Sequence, residues 1–272
     1  MPLSESNAEA VVMVVSPNSA GEHVPVGTAF FVTVRGPSPS CGFGYVVTAA
    51  HVVRFSSRSF VRMSLIDGST EDIPIAEWSF HDDSETDVAL APILLDQARY
   101  RFKAIEIEED VVESRPKPRL GETVYFIGLL ANIKSMHSEN VPMVRSGTLG
   151  RLFQEDVRIK WPDQSIHSMT GHLIDCRSHQ GFSGSPCYVQ LEPRGRLDVA
   201  MQDTFLLGLI SGHLDELGVD QSIRNSGVGI VTPVEDIWHV LLQDEHVQHR
   251  RTQSDLYRLD HPEVLVAPTV DP

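Results

Sequence analysis

The sequence predicts an all-β fold, and three observations support this prediction. Short runs of β-branched and aromatic residues recur along the chain, and Gly, Pro, Asn and Asp separate them. No helical pattern of about 10 to 15 residues alternates with these runs, which disfavours a parallel α/β sheet. The one clear helical pattern comes late in the chain. We therefore expect a sandwich or barrel of short strands followed by a helix.

Nine segments are predicted strands because they combine β-favouring residues with flanking turn residues. They cover residues 11–15, 28–34, 45–48, 60–66, 88–92, 123–127, 158–161, 206–211 and 228–232. The helical pattern begins at Pro233 and carries its apolar stripe on Val234, Ile237, Trp238, Leu241 and Leu242.

An Arg-Pro-Lys-Pro stretch near the middle of the chain indicates a linker between two β units. The predicted organisation is an N-terminal segment (1–10), a first barrel (11–114), a second barrel (115–232), a C-terminal helix (233–246) and a polar tail (247–272).

The acidic composition restricts the partners of the chain. Its 37 Asp and Glu residues exceed its 22 Lys and Arg residues, and the net charge is −15. A nucleic-acid partner would require a basic face, and so would an anionic membrane. No apolar run approaches the roughly 20 residues of a transmembrane helix, and the polar N-terminus does not resemble a signal peptide. We expect a cytoplasmic protein with neither nucleic-acid nor membrane partners.

The cysteines and histidines indicate no metal site or cofactor. Cys41, Cys176 and Cys187 are an odd number without a CxxC motif, so neither a disulfide framework nor a zinc site is indicated. His246 and His249 have the spacing of a metal pair, but no third ligand is close in sequence. We interpret them as part of a solvated tail.

Three separate segments carry residues that could act together. His51 ends a β run, Asp87 directly precedes an apolar run, and Ser183 lies in a tight turn with Gly181 and Gly184. A serine hydroxyl needs a base within hydrogen-bond reach, and histidine has a suitable pKa. A carboxylate on the other ring nitrogen orients the histidine. Glycine at position 181 lets the amides of Gly181 and Ser183 point at a developing oxyanion.

Two other assignments compete with this one. Asp82 and Asp83 lie near Asp87, but only Asp87 directly precedes the apolar strand. An α/β-hydrolase would require Gly-x-Ser-x-Gly and the order Ser, Asp, His. Here Ser185 occupies the place of the second glycine and the order is His, Asp, Ser.

With these residues in place, the chain resembles the trypsin-like serine peptidases of the chymotrypsin fold. It is most similar to their bacterial HtrA-like and glutamyl-endopeptidase branches. The resemblance runs from about residue 11 to residue 242 through eight collinear motifs. These are residues 27–30 (GTAF), 48–51 (TAAH), 86–90 (TDVAL), 120–124 (LGETV), 145–147 (RSG), 181–186 (GFSGSP), 208–212 (GLISG) and 229–233 (GIVTP).

The resemblance implies two antiparallel six-stranded barrels with the active site between them. It makes His51 the general base, Asp87 its orienting carboxylate and Ser183 the nucleophile. The amides of Gly181 and Ser183 would form the oxyanion hole. The implied function is a serine endopeptidase that cleaves proteins or peptides through an acyl-enzyme.

The resemblance also implies where substrate binds. The strand edge that pairs with the substrate backbone and the first specificity pocket would comprise Arg177, Ser178, Ser211, Gly212, His213, Gly227 and Gly229. Arg177 or His213 could recognise an acidic side chain. We favour the alternative, in which Arg177 faces solvent and the preference is for small or apolar side chains.

Phe182 departs from the family pattern. Trypsin-type zymogens place at this position an Asp that pairs with the new N-terminus, so that activation switch is absent here. This departure motivates an alternative function, a catalytically silent peptide-binding module of the same fold. The presence of all three triad residues favours the active peptidase. A cytosolic peptidase must be restrained, which suggests narrow specificity or a regulatory partner protein.

Overall fold

The computed structural model of the chain describes residues 3–38, 41–56, 58–111, 116–130, 140–160, 165–176, 181–192, 204–217 and 223–260. The strands are β1 (Val11–Pro17), β2 (His23–Arg35), β3 (Gly42–Thr48), β4 (Ser59–Ser64), β5 (Thr70–Ile75), β6 (Ser79–Phe80), β7 (Ala89–Pro92), β8 (Ile105–Glu106), β9 (Thr123–Gly128), β10 (Met143–Lys160), β11 (Ile166–Asp175), β12 (Pro186–Gln190), β13 (Thr204–Leu217) and β14 (Ile223–Pro233). The helices are α1 (Glu5–Glu9), α2 (Ala50–Arg54), α3 (Val234–Leu241) and α4 (Asp244–Asp260), with a 3-10 helix at Ile107–Glu109.

The predicted all-β class is confirmed. Each predicted strand overlaps an observed one, although β10 and β13 are much longer than expected. The prediction misses β5, β6, β8, β11 and β12. Most of these strands are short or rich in polar residues, so their pairing with neighbours decides their conformation more than their own composition does.

The first β unit is an eight-stranded sheet with the strand order β5-β4-β1-β2-β3-β7-β6, and β8 pairs in parallel with β2. In β4 the residues alternate between buried and half-buried, as expected for a strand with one face on the core. Within the confirmed fold class, the first of the two expected six-stranded barrels is a sheet whose edge strands β5 and β6 do not pair with each other.

The second β unit is a closed barrel of six strands, as expected, in the order β10-β11-β14-β13-β12-β9. The predicted boundary at residue 115 falls between the 3-10 helix and β9, and residue 115 itself lies outside the described residues.

One apolar core joins the two units. Residues of the first sheet pack in the same buried cluster as Ile127 and Leu129 of the second unit and as Ile237 of α3. A separate cluster, which includes Phe126, Phe182 and Leu149, fills the second barrel. The shared cluster places the edges of the two units against each other, and the predicted catalytic residues lie along that junction.

The C-terminal region differs from the prediction. The expected helix over 233–246 is the pair α3 and α4, and residues 247–260 continue α4 instead of forming a tail. His246 is 4% exposed and packs edge-on against Tyr45, with ring centroids 5.5 Å apart. Arg250 donates hydrogen bonds to the Tyr45 hydroxyl at 3.0 Å and to the Leu241 carbonyl at 2.8 Å. Because long polar side chains make these contacts, the sequence of α4 carries little apolar periodicity. Residues 261–272 lie outside the described part.

None of the helices in the described part of the chain has the length and apolarity needed to span a membrane. In the same residues, no group of three or more His, Cys, Asp or Glu side chains could hold a metal ion.

The strands β10 and β11 extend as a long hairpin, whose outer part packs on the second barrel because Val157 is buried together with Ile230 of β14. β10 pairs with β9 only up to Thr148, and β11 pairs with β14 only from His172 onward. The outer residues 152–160 and 165–171, which we call the arm, pair within the hairpin alone among the described residues.

His172 holds the base of the arm. Phe153 has a left-handed backbone with φ of 47°, and its N–H donates to Nδ1 of His172 at 3.2 Å. The two rings also pack edge-on at 4.5 Å. His172 is 1% exposed, and burial lowers its pKa to about 4. Nδ1 can accept this N–H only when it carries no proton, so the low pKa and the contact agree.

We expect the free energy of unfolding to fall as the pH drops from about 6.5 to 4. In this range unfolded His172 binds a proton and native His172 does not, since an unfolded histidine titrates near 6.5. The loss should reach roughly 3 kcal/mol at and below pH 4. Urea unfolding at several pH values measures it, and His172→Gln, which does not titrate, supplies the difference curve. Parallel pH profiles for the two proteins would contradict the assignment to His172.

Candidate active site

The predicted base and carboxylate lie in direct contact. The neighbouring strands β3 and β7 pair with Thr48 opposite Ala89, which brings the residues that follow β3 close to the one that precedes β7. Nδ1 of His51 is 2.8 Å from Oδ2 of Asp87, and the backbone N–H of His51 donates to Oδ1 at 2.9 Å. Because an ionised carboxylate only accepts hydrogen bonds, Nδ1 carries the proton and Nε2 is the basic nitrogen.

Two opposing effects act on the pKa of His51. Burial disfavours the imidazolium and lowers the pKa, while the charge of Asp87 and its hydrogen bond favour the imidazolium. Burial is the largest single effect, but the charge and the hydrogen bond of Asp87 together outweigh it, so the pKa of His51 is raised above its usual value of 6.5. Asp87 itself is 0% exposed, so its charge acts on His51 with little screening by water.

The competing carboxylates face other partners. Oδ2 of Asp82 lies 3.1 Å from Nε2 of His239 on α3. Asp83 accepts the backbone N–H of Glu85 at 3.0 Å and so stabilises the turn that precedes Asp87. The structure therefore brings Asp87 into contact with His51.

The turn that carries Ser183 is pressed against the segment that leads into His51. Gly184 has a φ of +85°, and its N–H donates to the carbonyl of Ile210 at 2.7 Å. A Cβ at position 184 would lie 2.0 Å from the carbonyl oxygen of Thr28 and 2.3 Å from Oγ1 of Thr48. Only glycine fits this approach and this backbone conformation. The half-buried Ser183 is thereby held close to the start of α2.

Thr28 connects the serine turn to both units. Its hydroxyl donates to the carbonyl of Gly181 at 2.6 Å and accepts the N–H of Leu129 at 3.0 Å. Its backbone N–H donates to the carbonyl of Ser183 at 2.9 Å, and Thr48 donates its hydroxyl to the Thr28 carbonyl at 2.7 Å. This role of Thr28 was not predicted from the sequence, although residue 28 belongs to the GTAF motif on which the resemblance rests.

Phe182 lies inside the second barrel. It is 0% exposed and packs edge-on against Phe126, with centroids 5.5 Å apart. Gly128 makes room for it, because a Cβ there would lie 2.4 Å from the Phe182 ring. Burial of an aromatic ring thus holds the serine turn at the position where the trypsin-type family places a charged side chain.

The residues assigned to substrate binding lie on β13 and β14 or outside the described part. Pairing of β12 with β13 ends at Leu209, whereas Gly212 and His213 pair with β14. Ser211 is buried, and its hydroxyl bonds to that of Thr232.

Gly227 has a φ of +84°, and its carbonyl accepts the N–H of Cys176 at 2.8 Å. Gly229 packs against Sγ of Cys176. Arg177 and Ser178 lie outside the described residues, so the roles assigned to the specificity pocket remain predictions.

The buried cysteines are poor nucleophiles. Burial raises the pKa of the Cys176 thiol to about 11 and the pKa of Cys187 well above its usual value. Both are therefore protonated at neutral pH, and all three cysteines, including the half-buried Cys41, are free thiols.

Fold and site together define a chymotrypsin-type architecture, and sequence comparison agrees with this class. Residues 27–192 match the family described as trypsin-like peptidase domain, so the chain belongs to this family. The match covers the segments that carry His51, Asp87 and Ser183. No curated protein sequence matches the chain significantly.

Solved structures with the same fold share little sequence with the chain. The MamO protease domain from Magnetospirillum magneticum is 18% identical with a TM-score of 0.57, and the match covers 89% of this chain and 100% of that one. Human heparin binding protein is 13% identical with a TM-score of 0.50, covering 99% and 97%. The scabies mite inactivated protease paralogue S-I1 is 13% identical with a TM-score of 0.51, covering 93% and 98%. These likenesses show the fold alone.

We expect Phe182→Asn to destabilise the protein and to slow the reaction of Ser183 with a fluorophosphonate. The substitution leaves a cavity and buries an amide, which together should lower the free energy of unfolding by about 3 kcal/mol or more. Phe182→Leu is the matched control, because it keeps an apolar side chain at the buried position and should cost much less in both stability and labelling rate. Slower labelling with unchanged stability would contradict the packing role and indicate a direct contact with the reagent.

Proposed function

We propose that this protein is an active serine endopeptidase in which Ser183 attacks the peptide bond. The observation that carries the proposal is the buried pair of His51 and Asp87. A buried carboxylate is costly unless hydrogen-bond donors satisfy it. Here both oxygens of Asp87 accept hydrogen bonds from His51, so the carboxylate orients the imidazole and favours its protonated form.

The proposed reaction follows from these groups. The Oγ of Ser183 attacks the substrate carbonyl carbon while Nε2 of His51 takes the hydroxyl proton. The amides of Gly181 and Ser183 stabilise the oxyanion of the tetrahedral intermediate. The imidazolium then gives its proton to the leaving amine, and the C–N bond breaks. Water, activated by His51, hydrolyses the acyl-enzyme and restores Ser183.

The electrostatics of the site favour the proton-transfer steps. The raised pKa of His51 makes the imidazole a stronger base than an ordinary histidine. In the proposed intermediate the imidazolium is stabilised by the charge of Asp87 in a site with little water.

The substrate of a peptidase domain is a protein or peptide. We propose that an extended substrate backbone pairs with residues 211–213, where β13 continues beyond the last residue paired with β12. The side-chain preference at the cleaved bond, the regulatory partner and the cytoplasmic location remain predictions.

We expect Ser183→Ala and His51→Ala each to reduce peptide hydrolysis by about 10³-fold or more while the fold is kept. Asp87→Asn should cost a similar factor, since it favours the wrong imidazole tautomer. Cleavage of a peptide library measures the activity and reports the side-chain preference. A fluorophosphonate should label Ser183 in the wild-type protein.

Ser185→Ala is the matched control for these variants. Ser185 is a buried serine in the same turn, its hydroxyl has no hydrogen-bond partner within the described structure, and we assign it no catalytic role. It should retain wild-type activity. A well-folded wild-type protein that neither cleaves the library nor reacts with the fluorophosphonate would instead support the silent peptide-binding module.

A further inference from the structure

The arm reaches from the second barrel to the first sheet beside the catalytic carboxylate. Ser168, on the β11 side of the arm, donates its backbone N–H to Oε2 of Glu85 at 2.7 Å. Glu85 lies two residues before Asp87 in the chain. Both Glu85 and Ser168 are half-buried, so water competes for this hydrogen bond less than at an open surface.

The donor lies on the outer edge of the hairpin. Ser168 is opposite Arg158 in the ladder between β10 and β11, yet its N–H is directed at Glu85. The bond is therefore additional to the ladder and can be removed without breaking it. The Ser168 hydroxyl makes a separate bond to Oδ1 of Asp156 at 3.1 Å within the arm.

Local hydrogen bonds stabilise both ends of this contact. The turn before Asp87 is stabilised by Asp83, which accepts the N–H of Glu85 through its side chain and the N–H of Thr86 through its carbonyl. On the other side, the register of the arm shifts on both sides of Gln154, and the nearby bulge at Phe153 is held by His172. Bulges bend a hairpin and set its direction. The hydrogen bond between Ser168 and Glu85 therefore joins two hydrogen-bonded parts of the structure and contributes to their separation.

We infer that Glu85 is a positioning residue: its carboxylate holds the arm next to the catalytic centre, so that the arm forms one wall of the cleft that binds extended peptides. This inference rests on the proposed endopeptidase function. A carboxylate that accepts a backbone N–H makes a charge-assisted bond, which is stronger than a neutral one. The wall contacts substrate residues away from the cleaved bond, so it contributes to the binding of long peptides and not of small esters.

Kinetics with two substrates test the wall. In Glu85→Ala the KM for an extended peptide should rise about tenfold, because the arm occupies its binding position in a smaller fraction of the molecules, with kcat within about twofold. Hydrolysis of a small ester should be unchanged. Glu85→Gln, which keeps an acceptor oxygen without the charge, should give a smaller rise in KM.

Two substitutions at Ser168 separate its backbone from its side chain. Ser168→Pro removes the N–H at an outer-edge position that tolerates proline, and it should reproduce the KM effect of Glu85→Ala. Ser168→Ala keeps the N–H and loses only the bond to Asp156, so its KM should rise much less than that of Ser168→Pro. The double variant of Glu85→Ala and Ser168→Pro should be no worse than either single variant, because both remove the same bond.

Amide hydrogen exchange tests the contact without any catalysis. In Glu85→Ala the Ser168 amide should exchange at least about tenfold faster than in the wild type, because it loses its acceptor. Unchanged exchange would overturn the inferred contact. Faster exchange with kcat lowered equally for the peptide and the ester would overturn the wall, because Glu85 would then act on the triad. Faster exchange in a protein without turnover would confirm the contact but overturn both the wall and the proposed function.

Discussion

The buried carboxylate of Asp87 is the constraint on which the rest of the site depends. An ionised carboxylate without water must be surrounded by donors, and His51 supplies two of them, one from its ring and one from its backbone. Both donors can reach Asp87 because β3 and β7 are paired antiparallel strands, and the last residue of β3 lies opposite the first residue of β7. The requirement to satisfy one charge therefore determines the ring orientation, the tautomer and the raised pKa of the histidine.

The serine turn is positioned by neutral contacts across the junction of the two units. Thr28, near the middle of β2, binds the turn through its hydroxyl and its N–H, and a buried Phe182 anchors the same turn in the second barrel. Neither contact uses a charge, so this arrangement does not depend on a new N-terminal amine in the way a zymogen switch does. The close approach of Gly184 to Thr28 explains why the turn cannot move away from the histidine without disturbing both units.

Polar segments complete the structure at two places. Helix α4 docks on the first sheet through His246 and Arg250, and the arm meets the turn before Asp87 through Glu85. In both cases the contact is made by a side chain that has an apolar stem or ring, and the polar end of that side chain forms a hydrogen bond or packs on a specific residue. Such contacts fix the positions of α4 and of the arm around a core that is formed by the apolar strands.

The sequence by itself determined the β class, because strand propensity is a property of short segments. Through its motifs and the resemblance they support, it also predicted the closed second barrel and the pairing of His51 with Asp87. It did not predict the open first sheet, the long β10–β11 hairpin or the helix over residues 247–260. These three features depend on the pairing of strands and on contacts between residues far apart in the chain, such as the hydrogen bond between Arg250 and Tyr45. The role of Thr28 was hidden for the same reason: its partners Gly181 and Leu129 are neighbours only after the two units pack together.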